Sequence, residues 1–187
     1  MKKISFLLLA GIAMINLTAN AQDKFFTKNG KILFKCTKSP LEKIEATNKS
    51  SICVLDTKTG NMQFAVMMKG FEFERALMQE HFNENYIESS KYPKAEFKGQ
   101  VINNNDIKYN ADGSYTAKVK GTLTIHGETK DVETTGTMEV KNGKVSTNAD
   151  FIIQLSDFKI SIPSIVSDKI SNTVNISVDC MLEPLKS

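Results

Sequence analysis

Two histidines and three cysteines are the side chains of this sequence best suited to catalysis or metal binding. His81 is followed by Phe-Asn-Glu, which is not the two-histidine helical motif of zinc hydrolases, and His126 lies far along the chain. The sequence also lacks the Gly-x-Ser-x-Gly elbow, the phosphate-binding loop and the dinucleotide fingerprint. These absences predict a protein that is not an enzyme and that needs no metal or cofactor.

The cysteines, Cys36, Cys53 and Cys180, lie on strand-like runs. Their odd number leaves at least one thiol unpaired within the chain. If the first and last strands meet, Cys36 and Cys180 share the parity that would make them neighbours. The alternative, which we favour, is that all three act as small buried apolar side chains.

The N-terminus has the features of a secretory signal peptide. Lys2 and Lys3 precede a short apolar run, and Ala19-Asn20-Ala21 resembles a cleavage site. We therefore predict a signal peptide over residues 1–21 and one domain over residues 22–187. Gln22 rather than cysteine follows the predicted cleavage site, which argues against a lipid anchor. We expect a periplasmic or secreted protein without a stable membrane anchor.

The charges give no support to nucleic-acid binding. Removing Lys2 and Lys3 lowers the net charge from +3 to +1, and the remaining basic residues are scattered. The sequence leaves open whether the protein forms a homodimer.

Apolar and polar side chains alternate along most of the chain, as they do in strands with one buried face. The clearest run places these residues on one face: Tyr115, Ala117, Val119, Gly121, Leu123 and Ile125. Tight turns separate the runs, and Asn142-Gly143 is the strongest hairpin signal. Such strands stack as two sheets or close on themselves, and about eight strands enclose room for a small ligand. We predict an all-β, antiparallel up-and-down barrel.

Residues 71–97 break the strand pattern. Met78, Phe82 and Tyr86 are four residues apart, which places them on one face of a helix. We predict a short helical insert whose aromatic face covers one end of the barrel interior.

Several segments resemble the YceI-like family. They are HFNENY at 81–86, SSKYPKAEFKG at 89–99, GTLTIHGETK at 121–130 and FIIQLSDFKI at 151–160. The resemblance covers nearly all of residues 22–187. It implies a lipocalin-like barrel with a helical segment at one end. It also implies an apolar tunnel that holds a polyisoprenoid or an isoprenoid quinone.

An isoprenoid tail needs an apolar tube, and Met and Phe side chains suit such a tube because they adapt to irregular gaps. The predicted lipid-binding residues are Phe34, Phe64, Val66, Met68, Phe71, Phe73, Met78, Phe82, Tyr86, Phe97, Phe151, Ile153 and Phe158. His81, Asn83 and Asn85 are predicted to contact a polar head group.

Two hypotheses follow from the sequence. The first is a carrier for an isoprenoid lipid or quinone outside the cytoplasm. The second is a structural or protein-interaction barrel, such as an export or stress factor, whose core is filled by side chains. The strand pattern is the same in both.

Overall fold

The computed structural model describes residues 23–38 and 43–185, so the predicted signal peptide lies outside the described residues. The regular elements are β1 (Lys24–Thr37), β2 (Glu45–Asp56), β3 (Asn61–Met67), β4 (Phe71–Phe73), α1 (Ala76–His81), β5 (Lys94–Val101), β6 (Gly113–Ile125), β7 (Glu128–Lys141), β8 (Lys144–Gln154) and β9 (Ile170–Pro184). A π-helical turn over Phe82–Tyr86 continues α1, and short 3₁₀ turns lie at Met68–Gly70, Asn104–Asp106, Leu155–Phe158 and Ser164–Val166.

The strands form a closed antiparallel ring. Their order is β1-β9-β8-β7-β6-β5-β3-β2, and pairing between β1 and β2 closes the circle. The short β4 pairs with β2 as an extra strand. The predicted barrel of about eight strands with a helical insert is therefore confirmed.

Two tight turns occur at residue pairs that end in glycine. Asn142 and Gly143, with φ of 51° and 72°, join β7 to β8, and His126 and Gly127, with φ of 52° and 79°, join β6 to β7. Positive φ at two successive positions is the geometry of a type I′ hairpin.

One glycine pair sets the spacing between two strands. Gly99 on β5 lies opposite Gly121 on β6, and a Cβ atom added to Gly121 would lie 2.5 Å from the Gly99 Cα. A larger residue would force the strands apart, so the close approach explains both glycines.

β2 is longer and less regular than its sequence pattern indicates. The pattern suggests two separate runs, at 41–47 and 52–55, but β2 is one strand with a shift in its pairing to β1 near Asn48. Asn48 is fully buried there, and its Oδ1 accepts a hydrogen bond of 2.8 Å from the Ser50 amide. Its Nδ2 donates to the Met67 carbonyl at 3.0 Å. The buried amide replaces missing ladder bonds, which explains why a polar residue interrupts the apolar pattern.

Cys36 and Cys180 are not neighbours, and the favoured alternative, in which the three cysteines are buried as small side chains, agrees with the structure. Lys31 pairs with Asp179, and a Cβ atom on Gly30 would lie 2.6 Å from the Cys180 Sγ, so Cys180 is level with Gly30. Six residues along β1 correspond to about 20 Å, which separates Cys36 from Cys180. Cys36 belongs to the core near the insert, whereas Cys53 and Cys180 belong to the core at the opposite end. All three are buried free thiols.

Candidate functional site: an apolar cavity beneath the helical insert

A cavity of about 450 Å³ occupies the barrel interior. This volume lies within the range of about 300–1,000 Å³ typical of small-molecule sites. These predicted lipid-binding residues border it: Phe34, Phe64, Val66, Met68, Phe71, Phe73, Met78, Phe82, Tyr86, Phe97, Phe151 and Ile153. Their place on the cavity wall is a geometric fact, and their contact with a lipid stays a prediction.

Phe158 does not border the cavity. Its side chain is buried in the neighbouring core, with 1% exposure, at the end of the Leu155–Phe158 turn. Phe158 belongs to the same buried cluster as the wall residues Phe34 and Ile153, but it lies on a 3₁₀ turn that follows β8.

Of the predicted head-group residues, only His81 borders the cavity. Asn83 is half-buried away from the cavity, where its Nδ2 donates to the Gln79 carbonyl at 2.8 Å. Asn85 is exposed. Phe82 and Tyr86 occupy the inward face of the helical turn, so the side chains between them point elsewhere.

The helical insert closes over the cavity through an aromatic cluster. The Phe82 ring stacks on Phe34 with centroids 5.4 Å apart, and it lies 5.8 Å from Phe71 and 5.1 Å from Phe73. The predicted helical face of Met78, Phe82 and Tyr86 is thus confirmed as the side of the insert that borders the cavity. The aromatic rings connect the insert to β1 and β4.

Sequence reasoning missed several residues of the cavity wall on β1 and β9. These further residues come from β1 and β9 and border the cavity: Ile32, Cys36, Val174, Ile176 and Val178. Their alternation along the two strands was visible, but the emphasis on Phe and Met passed over branched side chains.

The cavity reaches the surface at one end, which we call the mouth, bordered by Arg75, Leu77, Val166 and Lys169. Leu77 borders the cavity even though 61% of the Leu77 surface is exposed to solvent. The sequence analysis did not identify Arg75 or Lys169. A basic residue in a turn is common on protein surfaces and carries no signal of its own, and only the fold places these two at one opening.

The polar groups inside the cavity are few and weakly ionised. Burial raises the pKa of the Cys36 thiol to about 12. The pKa of Tyr86 is also raised, first by burial and then by the nearby Cys36. Both groups are therefore neutral near pH 7. Among the described residues, no group of three or more His, Cys, Asp and Glu side chains could hold a metal ion.

His126 lies outside the cavity wall and serves the structure around it. Its Nδ1 is 3.1 Å from the Phe158 carbonyl oxygen, and its Nε2 is 3.0 Å from Glu88 Oε2. The ring also packs at 4.4 Å from Tyr92. The site as a whole can enclose an apolar molecule, and Arg75, Glu96 and Lys169 are the charged residues among its lining.

Comparisons with known proteins agree with this description. A family model described as "YceI-like domain" matches residues 23–182. A polyisoprenoid binding domain from Saccharophagus degradans, implicated in plant cell wall breakdown, superposes with a TM-score of 0.76 at 13% identity, covering 88% of this chain and 99% of that one. BcnA from Burkholderia cenocepacia gives a TM-score of 0.66 at 17% identity, covering 82% and 95%. The YCEI protein of Campylobacter jejuni gives 0.51 at 20% identity, with both chains fully covered. No curated protein matches the sequence significantly. At these identities the structural likeness shows the fold.

Proposed function

Since the chain belongs to the YceI-like family, we propose that it binds a polyisoprenoid lipid or an isoprenoid quinone in the barrel cavity, outside the cytoplasm. The domain from Saccharophagus degradans, described as polyisoprenoid binding, has the same fold. We propose the same class of ligand here because the cavity of this chain has the chemistry to hold it.

The observation that carries the proposal is the apolar cavity of about 450 Å³. A purely structural barrel would fill this space with side chains, because voids in protein cores cost stability. A branched hydrocarbon tail restores the missing contacts and removes its own apolar surface from water, at about 25 cal/mol per Å². An interior that side chains do not fill therefore favours the carrier over the structural barrel.

The distribution of charge supports an orientation for the ligand. Arg75 and Lys169 border the cavity at the mouth, with His81 beside them on the insert, whereas Met62, Ala117 and Met138 border the opposite end. An amphiphile would place its polar head at the mouth and its tail towards Met138. Two cations at the mouth favour an anionic head group such as a phosphate.

The location outside the cytoplasm is also a proposal. It rests on the signal-peptide pattern of residues 1–21 and on the ligand class, because isoprenoid lipids and quinones reside in membranes. Among the described residues, no helix is both long and apolar enough to cross a membrane.

Native mass spectrometry tests the proposal. Protein exported from a bacterial host should carry a lipid adduct that organic solvent releases. Delipidated protein should bind undecaprenyl phosphate more tightly than undecaprenol, because only the phosphate meets the cations at the mouth. A protein that has no adduct and takes up neither isoprenoids nor a ubiquinone would rule out the carrier.

A further inference from the structure

Two strongly exposed apolar side chains lie on segments at the insert end of the barrel. Leu77 on α1 is 61% exposed, and Ile165 in the Ser164–Val166 turn is 86% exposed. Ile165 is the most exposed large apolar side chain among the described residues.

The two segments lie at the same end of the fold. Thr37 at the end of β1 pairs with Ile170, and the next amide, of Lys38, donates to the Lys169 carbonyl at 3.0 Å. On the neighbouring β2, Ala46 pairs with Phe73, which leads directly into α1. The Ser164–Val166 turn and α1 therefore both stand beside the ends of β1 and β2, and both reach the mouth of the cavity.

Within residues 23–38 and 43–185, the outer face of this end presents exposed side chains. α1 has no buried residue, and its extensive contacts are with its chain neighbours, β4 and the Phe82–Tyr86 turn. An amphipathic surface with uncovered apolar side chains around a ligand opening is suited to contact with another apolar phase.

We propose that the mouth docks on a phospholipid bilayer, with Ile165 and Leu77 entering the boundary between head groups and acyl chains. This inference rests on the proposed function, because a long isoprenoid tail is nearly insoluble in water and has to be exchanged with a membrane. Docking at the mouth lets the tail pass from acyl chains into the cavity without crossing water. The bilayer is thus the partner whose chemistry matches both the exposed side chains and the cargo.

The charges around the mouth predict how the binding depends on salt. Arg75 and Lys169 are each adjacent in sequence to an acidic residue, Glu74 and Asp168. Arg75 and Lys169 border the cavity, whereas Glu74 and Asp168 do not, so the acidic residues offset the attraction of the outer face for an anionic bilayer but do not line the place of a bound head group. Apolar insertion should dominate, so raising the salt until the Debye length falls below ~10 Å should change binding by less than about twofold.

Ile165→Glu is the decisive variant, because Ile165 does not border the cavity and its exposure makes the change harmless to folding. Ile152→Glu is the matched control on the barrel wall, where Ile152 is 60% exposed. Binding is measured by flotation with vesicles of phosphatidylethanolamine and phosphatidylglycerol. We expect the Ile165 variant to bind at least ~tenfold more weakly than wild type, and the Ile152 variant to bind normally.

Isoprenoid binding from detergent solution, measured on the same proteins, separates this inference from the proposed function. Ile165→Glu should retain full uptake of undecaprenyl phosphate in detergent and lose only transfer from vesicles. Equal flotation of the wild type and the Ile165 variant, or an equal loss in the Ile152 variant, would overturn the proposed docking through the mouth. Uptake in detergent would still uphold the carrier.

Vesicle binding through Ile165 without any isoprenoid uptake would uphold docking and reject the carrier. A dimer in sedimentation that Ile165→Glu dissociates would instead assign the patch to a second copy of the chain and overturn the bilayer assignment.

Discussion

At the scale of single residues, Phe82 links the insert to the cavity wall. Its ring contacts Phe34 from β1 and both Phe71 and Phe73 from β4, and it borders the cavity. A ring in this position both covers the ligand and holds the insert in place.

Replacing Phe82 with Glu should lower the affinity for an isoprenoid at least ~tenfold, because a carboxylate would be desolvated against the tail. Phe82→Leu keeps an apolar side chain and should lose less than about threefold. Titration with a fluorescent isoprenoid measures both variants. If the Glu variant binds as tightly as wild type, the insert is not part of the site.

The reactivity of the Cys36 thiol reports directly whether a ligand occupies the cavity. Its thiol borders the cavity, whereas Cys53 and Cys180 lie in the other core. Burial raises its pKa to about 12, so it reacts slowly and only with reagent that enters the cavity.

Bound isoprenoid should slow the labelling of Cys36 by a small methanethiosulfonate more than ~tenfold relative to Cys53 and Cys180. Peptide mapping by mass spectrometry gives the three rates separately. Equal slowing at all three thiols would indicate global stabilisation rather than a ligand against Cys36.

At the scale of elements, the β7–β8 pair separates near the insert end of the barrel. Their ladder runs from Lys141 and Lys144 to Gly136 and Ala149, although both strands continue beyond it. The Leu155–Phe158 turn packs against β7, β8 and β9 and so covers the gap. Barrel closure here depends on side chains instead of backbone hydrogen bonds.

His126 holds the Leu155–Phe158 turn in this position. It joins the β6–β7 turn to the Phe158 carbonyl and to Glu88, which follows the insert. Both partners are acceptors, so the ring donates to both only when it is an imidazolium. The three residues Glu88, His126 and Lys159 adopt left-handed φ of 49°, 52° and 55°, a conformation that costs about 1 kcal/mol or more for each non-glycine residue. These contacts offset the strain.

His126→Ala should loosen the packing of the Leu155–Phe158 turn against the barrel. We expect faster hydrogen exchange of the Ile160 amide, which donates to the Leu155 carbonyl at 3.1 Å, and a Tm lower by about 2–4 °C. His81→Ala is the control, since His81 is exposed and its side chain makes no hydrogen bond among the described residues. Exchange that stays at the wild-type rate in His126→Ala would show that packing alone holds the turn.

At the scale of the whole molecule, buried weak acids should make the protein sensitive to alkali. Burial raises the pKa of Cys36 from 9.0 to about 12 and is the main cause of the same rise at Cys180. It also raises the pKa of Tyr109 to about 12. A group whose pKa is higher in the folded state stabilises the protein fully below its unfolded pKa and loses that contribution as the pH rises towards the folded value.

The free energy of unfolding should therefore fall from about pH 9 towards pH 12, by up to ~1.4 kcal/mol per pH unit for each such group. Urea denaturation at a series of pH values measures the slope. Cys36→Ser removes one titrating group. The slope of the free energy of unfolding against pH should therefore become shallower by the contribution of that group. A slope that the substitution leaves unchanged would contradict the burial of this thiol.

Most of the fold could be predicted from the sequence pattern, because strand alternation and turn chemistry depend on residues that are close together in the chain. Asn142-Gly143 and the run from Tyr115 to Ile125 predicted their hairpins correctly. The bulge at Asn48 was invisible because a buried amide bonded to Met67 cannot be told from a surface amide without the neighbouring strand. Phe158 lies on a 3₁₀ turn after β8, where strand alternation no longer indicates which side a residue faces, so its absence from the cavity wall followed only from the fold.

By itself, the sequence determined the all-β class, the antiparallel meander, the helical insert and an aromatic face on that insert. Each depends on residues a few positions apart, where backbone geometry links spacing to direction. Only the tertiary structure decided that side chains do not fill the interior, that Cys36 and Cys180 lie in different cores, and that Arg75, Lys169, Leu77 and Ile165 gather at one end. These features depend on the closure of the ring and on its register, which bring together residues whose distance along the chain carries no signal.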